Sequence, residues 1–373
     1  MVDPDVTRSA TPGFPDHIGP YAIIDLLGRG GMGEVWLGQQ IEPVTRRAAV
    51  KVVMHGAGPD VLLRFEEERR VLASLEHPGI AKLFEVGETD DGRPWFAMEV
   101  VHGRPIDEYC EDASLQKRLT IFRRVCYAMQ HAHVRGVVHR DLKPTNILVE
   151  DIDGEALPKI IDFGIAKALD RRQGVNPLQT VVGGFLGTPA YASPEQACGD
   201  SRAIDARADV YSLGAILYQL VAGVPPFDPA ELAKMTTFEL QRTIAEVKPK
   251  PPSAVARNGF ELGALDNVIL RALEKDREER FVDAGALAAA IDAQLETRFV
   301  ETPRVVRRSW RGRHGRLVAI LLAALLLPLA YAFLKQTLFA SMDQKVALQG
   351  VDGDRSMPGE VVTTGLSTLS TQP

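Results

Sequence analysis

The sequence has few cysteines, and no apolar stretch marks its N-terminus. The three cysteines of the 373-residue chain are Cys110, Cys126 and Cys198. Because they are odd in number and widely spaced, they exclude a disulfide framework and any CxxC metal site. Residues 1–16 are acidic and proline-rich and lack the apolar core of a signal peptide, so we expect no cleaved leader.

The composition excludes several other classes of protein. Hydrophobic residues make up 45% of the chain and charged residues 25%, and both values are close to the averages of soluble globular proteins. Wholesale disorder, collagen-like repeats and a multi-span membrane protein are therefore disfavoured. At roughly 150 residues per domain, the length predicts two to three folded units.

The net charge of −6 conceals three segments that differ in charge. Residues 304–316 hold six arginines and no acidic residue, whereas residues 317–373 hold three basic and four acidic residues. Removing both segments from the totals of 43 and 49 leaves 34 basic and 45 acidic residues in 1–303, a balance of −11. The chain therefore consists of an acidic main part, a basic segment and a nearly neutral C-terminal part.

An apolar run directly follows the basic segment. Residues 317–334 are eighteen residues without a charge, and as a helix they would reach about 27 Å, near the ~30 Å hydrocarbon core of a bilayer. A buried core helix is the alternative, but the run is apolar on every face, and an arginine excess is typical of the cytoplasmic side of a span. We expect one transmembrane helix at 317–334 in the cell membrane, a cytoplasmic main part, and a short disordered extracytoplasmic tail at 335–373.

The arginines of the basic segment could instead bind nucleic acid. The apolar span that follows explains them more simply, through membrane orientation and contact with anionic headgroups. We therefore expect membrane lipid, and not nucleic acid, to be the partner of this segment.

A glycine-rich loop separates two β-favouring stretches near the N-terminus. The loop GRGGMG holds the four glycines Gly28, Gly30, Gly31 and Gly33. In a dinucleotide-binding fold such a loop precedes a helix, whereas here Val35, Trp36 and Leu37 continue in strand-like sequence. We therefore predict a hairpin whose missing side chains let phosphate groups approach closely. An ordinary glycine turn is the alternative if this motif is taken alone.

Lys51 lies in the apolar run AAVKVV, where an ammonium group is costly unless anions neutralise it. Its candidate partners are nucleotide phosphates and a carboxylate on the helical sequence that follows. The apolar stripe of that sequence places Glu68 toward the lysine and leaves Glu66 and Glu67 facing solvent. A solvated Glu68 is the alternative.

The most specific block is HRDLKPTN at residues 139–146, which is followed by DFG at residues 162–164. Phosphoryl transfer needs a carboxylate that orients the attacking hydroxyl, a cation near the phosphates, and metal ions that bridge phosphate oxygens. Asp141 and Lys143 fit the first two roles, and Asn146 and Asp162 fit the third as metal ligands. Such hard oxygen ligands suit Mg²⁺, which binds largely through the nucleotide, with Mn²⁺ as an alternative.

At these motifs the sequence resembles the eukaryotic-type (Hanks-type) protein kinases, and more narrowly the membrane-anchored Ser/Thr kinases of bacteria. The resemblance covers residues 18–297 and implies an α+β fold of two lobes with ATP between them, to which the apolar run adds one C-terminal transmembrane helix. The expected lobes are a β-rich N-lobe at 18–99 and a mainly helical C-lobe at 100–297. Residues 1–17 are then a disordered N-terminus, and residues 298–316 are a basic juxtamembrane linker.

The resemblance also implies roles for the residues of the nucleotide site. Lys51 is expected to pair with Glu68, and Met98 is expected to be the gatekeeper before the hinge. The implied ATP-binding set is Gly28, Arg29, Gly30, Gly31, Met32, Gly33, Val35, Ala49, Lys51, Met98, Glu99, Val101 and Leu148. A stack that links the lobes is implied for Leu72, Leu83, His139 and Phe163.

In the C-lobe, the resemblance makes Asp141 the catalytic base and Lys143 its cationic neighbour. Glu195 is expected to pair with Arg280, and Asp209 is expected to brace the catalytic loop. Lys143 and Thr188 resemble the Ser/Thr-specific kinases and not the Tyr-specific ones.

The resemblance also implies a site of regulation in the activation loop. Arg140 is implied to bind phosphate on that loop. Thr180 is the one hydroxyl-bearing residue between Phe163 and Thr188, so we predict that it is the principal autophosphorylation site.

These motifs predict a membrane-tethered signalling kinase that transfers the γ-phosphate of ATP to Ser or Thr hydroxyls of proteins. The alternative is a catalytically weak, pseudokinase-like membrane scaffold, but Lys51, Asp141, Asn146 and Asp162 are all present. A small-molecule kinase is disfavoured by the segment GTPAYASPEQ, which resembles protein-docking loops. The expected partners are ATP, protein substrates, membrane lipid through the single span, and a second copy of the chain for trans-autophosphorylation.

Overall fold

The computed structural model describes residues 15–30, 33–53, 75–163, 189–200, 203–256 and 259–299, together with Lys335. The chain divides into the units Met1–Glu301 and Thr302–Pro373, and the elements below belong to the first. Within the described residues, no helix combines the length and the apolar character that crossing a membrane requires. The apolar run 317–334 lies outside the described residues, as do residues 1–14.

The N-terminal part forms an antiparallel sheet with the strand order β1-β2-β3-β4-β6-β5. Its strands are β1 (His17–Ile18), β2 (Tyr21–Gly30), β3 (Gly33–Gln40), β4 (Arg46–Val53), β5 (Leu83–Glu88) and β6 (Pro94–Met98). Side chains alternate between the two faces of a strand. On β4, Ala48, Val50 and Val52 therefore pack with Trp36 in one hydrophobic cluster of the N-terminal sheet. Ala49 and the buried Lys51 lie on the opposite face of the strand.

The hairpin between β2 and β3 depends on one of its glycines. Gly33 has a φ of +149°, and a Cβ atom at this position would lie 2.0 Å from the carbonyl oxygen of Val52. Only glycine fits there, because no side chain tolerates both this backbone angle and this contact. A Cβ atom on Gly28 or Gly30 would meet no atom within 4 Å, so these two positions are open.

The C-terminal part is mainly helical. Its helices are α1 (Ile106–Tyr109), α2 (Leu115–Val134), α3 (Pro194–Ala197), α4 (Ala206–Ala222), α5 (Pro229–Leu232), α6 (Thr237–Glu246), α7 (Pro252–Val255), α8 (Leu265–Ala272) and α9 (Ala284–Phe299). Helix α4 is buried on nearly every side, as its apolar sequence requires, and α2, α8 and α9 pack around it. It starts at the N-cap Asp205 and ends at Gly223, whose left-handed φ of +77° is typical of a helix C-terminus. This arrangement confirms the predicted two-lobed fold.

A small sheet positions two candidate metal ligands. Its strands are β7 (Arg104–Pro105), β8 (Ile147–Ile152) and β9 (Glu155–Ile160), and β8 and β9 form a hairpin in which Ile147 pairs with Ile160. Asn146 immediately precedes β8, and Asp162 follows β9 by two residues. The amide of Ile161 donates to the carbonyl of Asn146 at 2.9 Å, so the hairpin brings both ligand positions to the same end.

A buried ion pair joins α3 to the later part of the helical core. Arg280 donates from Nη1 to Glu195 Oε1 at 2.8 Å and from Nη2 to Glu195 Oε2 at 2.9 Å, and its side chain is fully buried. Its other N–H groups donate to the carbonyls of Glu274, Arg207 and Lys275. Every N–H group of the guanidinium therefore has an acceptor. The ion pair holds α3, and with it the segment after Pro189, against the helical core.

We predict that Arg280→Met lowers the free energy of unfolding by about 3–5 kcal/mol, because it leaves the Glu195 carboxylate buried without its counter-ion. Urea denaturation followed by circular dichroism measures the change. Arg242→Met is the matched control, since Arg242 forms a largely exposed ion pair with Glu246 at 3.0 Å and such pairs contribute little. Equal effects of the two substitutions would contradict the structural role of Arg280.

Candidate active site

The loop that carries Asp141 is attached to α4 through one carboxylate. Asp209 is fully buried and accepts hydrogen bonds from the backbone amides of His139 at 2.7 Å and of Arg140 at 2.9 Å. His133 donates a third bond from Nε2 at 2.9 Å. Burial opposes ionisation of Asp209, but the hydrogen bonds that it accepts from the His133 side chain and from the His139 amide outweigh burial, and its pKa is lowered. The ionised carboxylate therefore holds the loop in place.

Arg140 adopts an unusual backbone conformation in this loop. Its φ is +65°, a left-handed value that costs energy for a residue with a side chain. The two bonds that stabilise it run from its amide to Asp209 and from Gln196 Nε2 to its carbonyl at 2.7 Å. The Nε atom of Arg140 is buried and finds no hydrogen-bond partner among the residues that the structure describes.

His139 connects this loop to the segment that contains Asp162. Its ring is buried, and burial lowers its pKa, so the imidazole is neutral. The amide of Asp141 donates to Nδ1 at 3.3 Å, which leaves Nε2 to donate to the carbonyl of Ile161 at 3.2 Å. The ring also packs on Phe163, with 4.6 Å between the ring centroids. One side chain therefore contacts the backbone beside both candidate catalytic carboxylates.

Asp141 lies between two side chains of its own loop. Lys143 Nζ donates to its carboxylate at 3.1 Å, and Asn146 Nδ2 donates to its carbonyl at 2.8 Å. This second bond orients the Asn146 amide so that Oδ1 is the atom left to accept from another group. The loop thus presents a carboxylate, an ammonium group and an amide oxygen close together.

Lys51 forms an ion pair with Asp162 in the structure. Lys51 is buried on β4, and its ammonium lies 5.6 Å from the centre of the Phe96 ring. Asp162 has a φ of +60°, a left-handed value that is uncommon for a residue with a side chain. Glu68, the predicted partner of Lys51, lies outside the described residues.

Apolar side chains of both lobes are placed around the cleft. Ala49 on β4 pairs in register with Met98 on β6, and Val35 pairs with Lys51. Leu148 is on β8 of the C-lobe. Behind Met98 is a cavity lined by Leu75, Ile80, Ala81, Leu83, Phe96, Met98, Asp162 and Phe163, so Leu83 and Phe163 of the predicted stack meet there.

Glu99, which is predicted to lie in the hinge, is held by a contact that the sequence analysis did not predict. Lys159 on β9 forms an ion pair with its carboxylate, and the backbone amide of Lys82 donates to its other oxygen at 3.2 Å. The contact of His133 with Asp209 was also missed. Sequence spacing offered little signal for either, because the partners are 60 and 76 residues apart along the chain.

Several predicted site residues lie outside the described residues. They are Gly31, Met32, Glu68, Leu72, Thr180 and Thr188. Arg29 is described on β2, where it forms an ion pair with Glu34 at 2.8 Å. Val101 follows Glu99 by two residues and is half-buried in the hinge.

The site has few protein ligands for a cation. Within the described part of the chain, no group of three or more His, Cys, Asp or Glu side chains could hold a metal ion. Asp162 and Asn146 offer oxygen atoms near one end of the β8–β9 hairpin. Such a sparse oxygen set suits a hard divalent cation whose remaining ligands come from a phosphate compound and water.

Comparisons with known proteins agree with this geometry. The protein kinase domain family matches residues 21–289. Serine/threonine-protein kinase Pkn1 of Myxococcus xanthus is 37% identical over 282 residues, which cover 74% of this chain and 38% of Pkn1. Serine/threonine-protein kinase PknB of Mycobacterium leprae is 35% identical over 304 residues, which cover 78% of this chain and 46% of PknB.

A solved structure shows the same fold. The kinase domain of Mycobacterium tuberculosis PknI has a TM-score of 0.57 and 29% identity, and the match covers 74% of this chain and 96% of that domain. The chain spans less than half the length of the two curated relatives above. The region that matches the family model, residues 21–289, holds all the site residues described here. The chain therefore belongs to the protein kinase family, among the Hanks-type kinases of bacteria.

Proposed function

We propose that this chain transfers the γ-phosphate of ATP to Ser or Thr hydroxyls of protein substrates. The observation that carries the proposal is the convergence of Lys51, Asp141, Lys143, Asn146 and Asp162 at the end of the β8–β9 hairpin. The hydrogen bonds of Asp209 and His139 hold the backbone of the loop that carries Asp141 and the backbone beside Asp162. Family membership supports the same reaction, and the names of the similar proteins specify Ser/Thr kinases.

Each of these residues has a separate role in an in-line phosphoryl transfer. Asp141 orients the acceptor hydroxyl and accepts its proton, and its distance of 3.1 Å from Lys143 keeps a positive charge beside it. Lys143 offsets the negative charge of the transferred group. Lys51 is buried on β4 and supplies the cation that holds the nucleotide phosphates.

The donor atoms present fit Mg²⁺, with Mn²⁺ as an alternative. Asp162 and Asn146 would hold the ion, because a carboxylate and an amide oxygen are hard ligands. When bound, the ion neutralises charge on the phosphate oxygens. The contribution of this chain is the orientation of both ligands by the β8–β9 hairpin and by the bond from Asn146 Nδ2 to the Asp141 carbonyl.

We further propose a membrane-tethered signalling role. It is supported by the sequence alone, through the apolar run 317–334 and the six arginines of 304–316. The arginine excess favours a cytoplasmic kinase domain. Self-association for trans-autophosphorylation at Thr180 is part of this proposal, and Arg140 would meet the phosphate.

We predict that Asp141→Asn lowers kcat at least ~100-fold, because an amide cannot accept the hydroxyl proton. Transfer of radiolabelled phosphate from ATP and magnesium to a generic basic protein measures it. The control is Asp153→Asn, since Asp153 is exposed in the β8–β9 turn with a φ of +54° that asparagine tolerates. If the wild-type chain and Asp141→Asn transferred phosphate equally fast, the assignment of Asp141 would be contradicted. If neither chain transferred phosphate, the scaffold alternative would be favoured.

A second prediction concerns the activation loop. Phosphopeptide mapping of active enzyme should find Thr180 phosphorylated, and Thr180→Ala should remove that peptide and lower activity, because the ordering charge is lost. The inactive Asp141→Asn chain is the control and should carry no loop phosphate. Loop phosphate found only at Thr188 would refute the prediction.

A third prediction concerns localisation. Deletion of residues 317–334 should move the chain from the membrane fraction to the soluble fraction, because the apolar run is the proposed anchor. Immunoblotting of alkali-washed membranes measures the distribution, and the intact chain is the control. An intact chain that alkali extracts would show that no span is present.

A further inference from the structure

Two histidines meet where the N-lobe contacts helix α2. His77 lies in the turn before β5, and His131 lies in the last part of α2. Their ring centroids are 5.0 Å apart, and the ring planes are tilted by 45°. The turn is close to the helix, because a Cβ atom on Gly79 would lie 3.0 Å from the Cβ of Ala128. The pair therefore lies inside a tight contact between the two lobes.

Each imidazole already uses its basic nitrogen as a hydrogen-bond acceptor. The amide of Gly79 donates to His77 Nδ1 at 3.0 Å. Arg135 Nη1 lies 3.2 Å from His131 Nδ1, and because a guanidinium group can only donate, Nδ1 must accept. A proton added to either ring would replace the lone pair and break the bond. Both hydrogen bonds therefore favour the neutral form of the ring.

Within the described part of the chain, no acidic side chain forms a hydrogen bond or an ion pair with either ring. Burial lowers the pKa of both histidines, and the positive charge of Arg135 lowers both further. His131 also lowers the pKa of His77. Glu76, in the same turn, forms an ion pair with Lys82 at 3.5 Å.

Acidic groups on the packed elements are likewise engaged elsewhere. Asp209 on α4 accepts from His133, which lies two residues along α2 from His131. Asp283, which precedes α9, accepts from Gln130 at 3.1 Å. Among the described residues, the charged group that contacts the histidine pair is thus the Arg135 guanidinium. A proton on either ring would add a second positive charge to this contact.

The turn of His77 is tied directly to the active site. The amide of Ile160 donates to the carbonyl of Gly79, and the amide of Ala81 donates to the carbonyl of Ile160, both at 2.9 Å. Ile160 ends β9, two residues before Asp162. A change in the turn at Gly79 therefore acts on the backbone that positions Asp162.

We propose that His77 and His131 form an acid-sensitive switch, in which their protonation loosens the turn at Gly79 from α2 and lowers the activity of the site. This inference rests on the proposed kinase function for its effect on activity, but the titration itself does not. The neutral pair contributes its full stabilisation above the ordinary histidine value of about 6.5. Because both pKa values are lowered in the fold, the contribution falls as the pH drops below that value and is lost below the lowered values.

The test compares the full wild-type chain with the double variant H77N/H131Q. An asparagine side chain can accept from an amide two residues ahead, and glutamine can accept from Arg135, so the variant keeps acceptors that do not titrate. Between about pH 7.0 and about pH 5.5, the wild type should lose roughly tenfold more phosphotransfer than the double variant. His17→Asn is the control, since His17 is exposed on β1, and its profile should match the wild type.

A second measurement does not depend on activity or on the folding of the double variant. Nuclear magnetic resonance of labelled histidines should show the His77 and His131 imidazoles of the wild-type chain titrating below the ordinary value, as His139 also should, and the His77 and His131 single variants distinguish the pair from His139. Superimposable activity profiles of the wild type and a folded double variant would overturn the switch. So would ordinary titration of both rings. A chain without activity at any pH that still shows the lowered titrations would contradict the kinase function and leave the histidine pair intact.

Discussion

The buried carboxylate of Asp209 is the constraint on which the rest of the site depends. It accepts from two consecutive amides of the catalytic loop and from His133, and α4 carries it into the centre of the helical core. Burying a carboxylate is unfavourable unless its oxygens are hydrogen-bonded. Movement of the loop away from Asp209 would remove two of these hydrogen bonds and is therefore unfavourable. The left-handed backbone of Arg140 persists because these bonds over-determine it. The position of Asp141 is thus set by a residue 68 positions later in the sequence.

The second constraint is the β8–β9 hairpin, which connects the two lobes as well as the two metal-ligand positions. At one end it places Asn146 beside Ile161, and through Ile160 it receives two backbone bonds from the turn at Gly79. His139 adds a bond to the carbonyl of Ile161. The backbone beside Asp162 is therefore held by three separate parts of the chain, through the backbone of Asn146, the backbone of the turn at Gly79 and the ring of His139. This explains how residues remote from the chemistry can change it.

The sequence predicted the lobes and the family because strand alternation, helix periodicity and fixed motif spacing are local patterns. The family resemblance also predicted two pairings. In the structure Glu195 forms an ion pair with Arg280, and Asp209 accepts hydrogen bonds from the amides of the catalytic loop. Other contacts had no local signal. Positions i and i+2 of a helix face different directions, which correctly separated His131 from His133, but nothing in the sequence indicated that one faces His77 and the other Asp209. The pairing of Lys159 with Glu99 joins segments that come together only in the fold.

The histidines of the site differ in what their environment lets them do. His139 and the His77–His131 pair accept hydrogen bonds from donors that do not release a proton near neutral pH, namely backbone amides and a guanidinium group. His133 instead donates from Nε2 to the carboxylate of Asp209. Two rings that lie two residues apart on α2 therefore have opposite hydrogen-bonding roles. The bond from His133 supports the catalytic loop through Asp209, whereas Nδ1 of His131 accepts from Arg135 at the contact between the lobes, which is the contact on which the proposed switch depends.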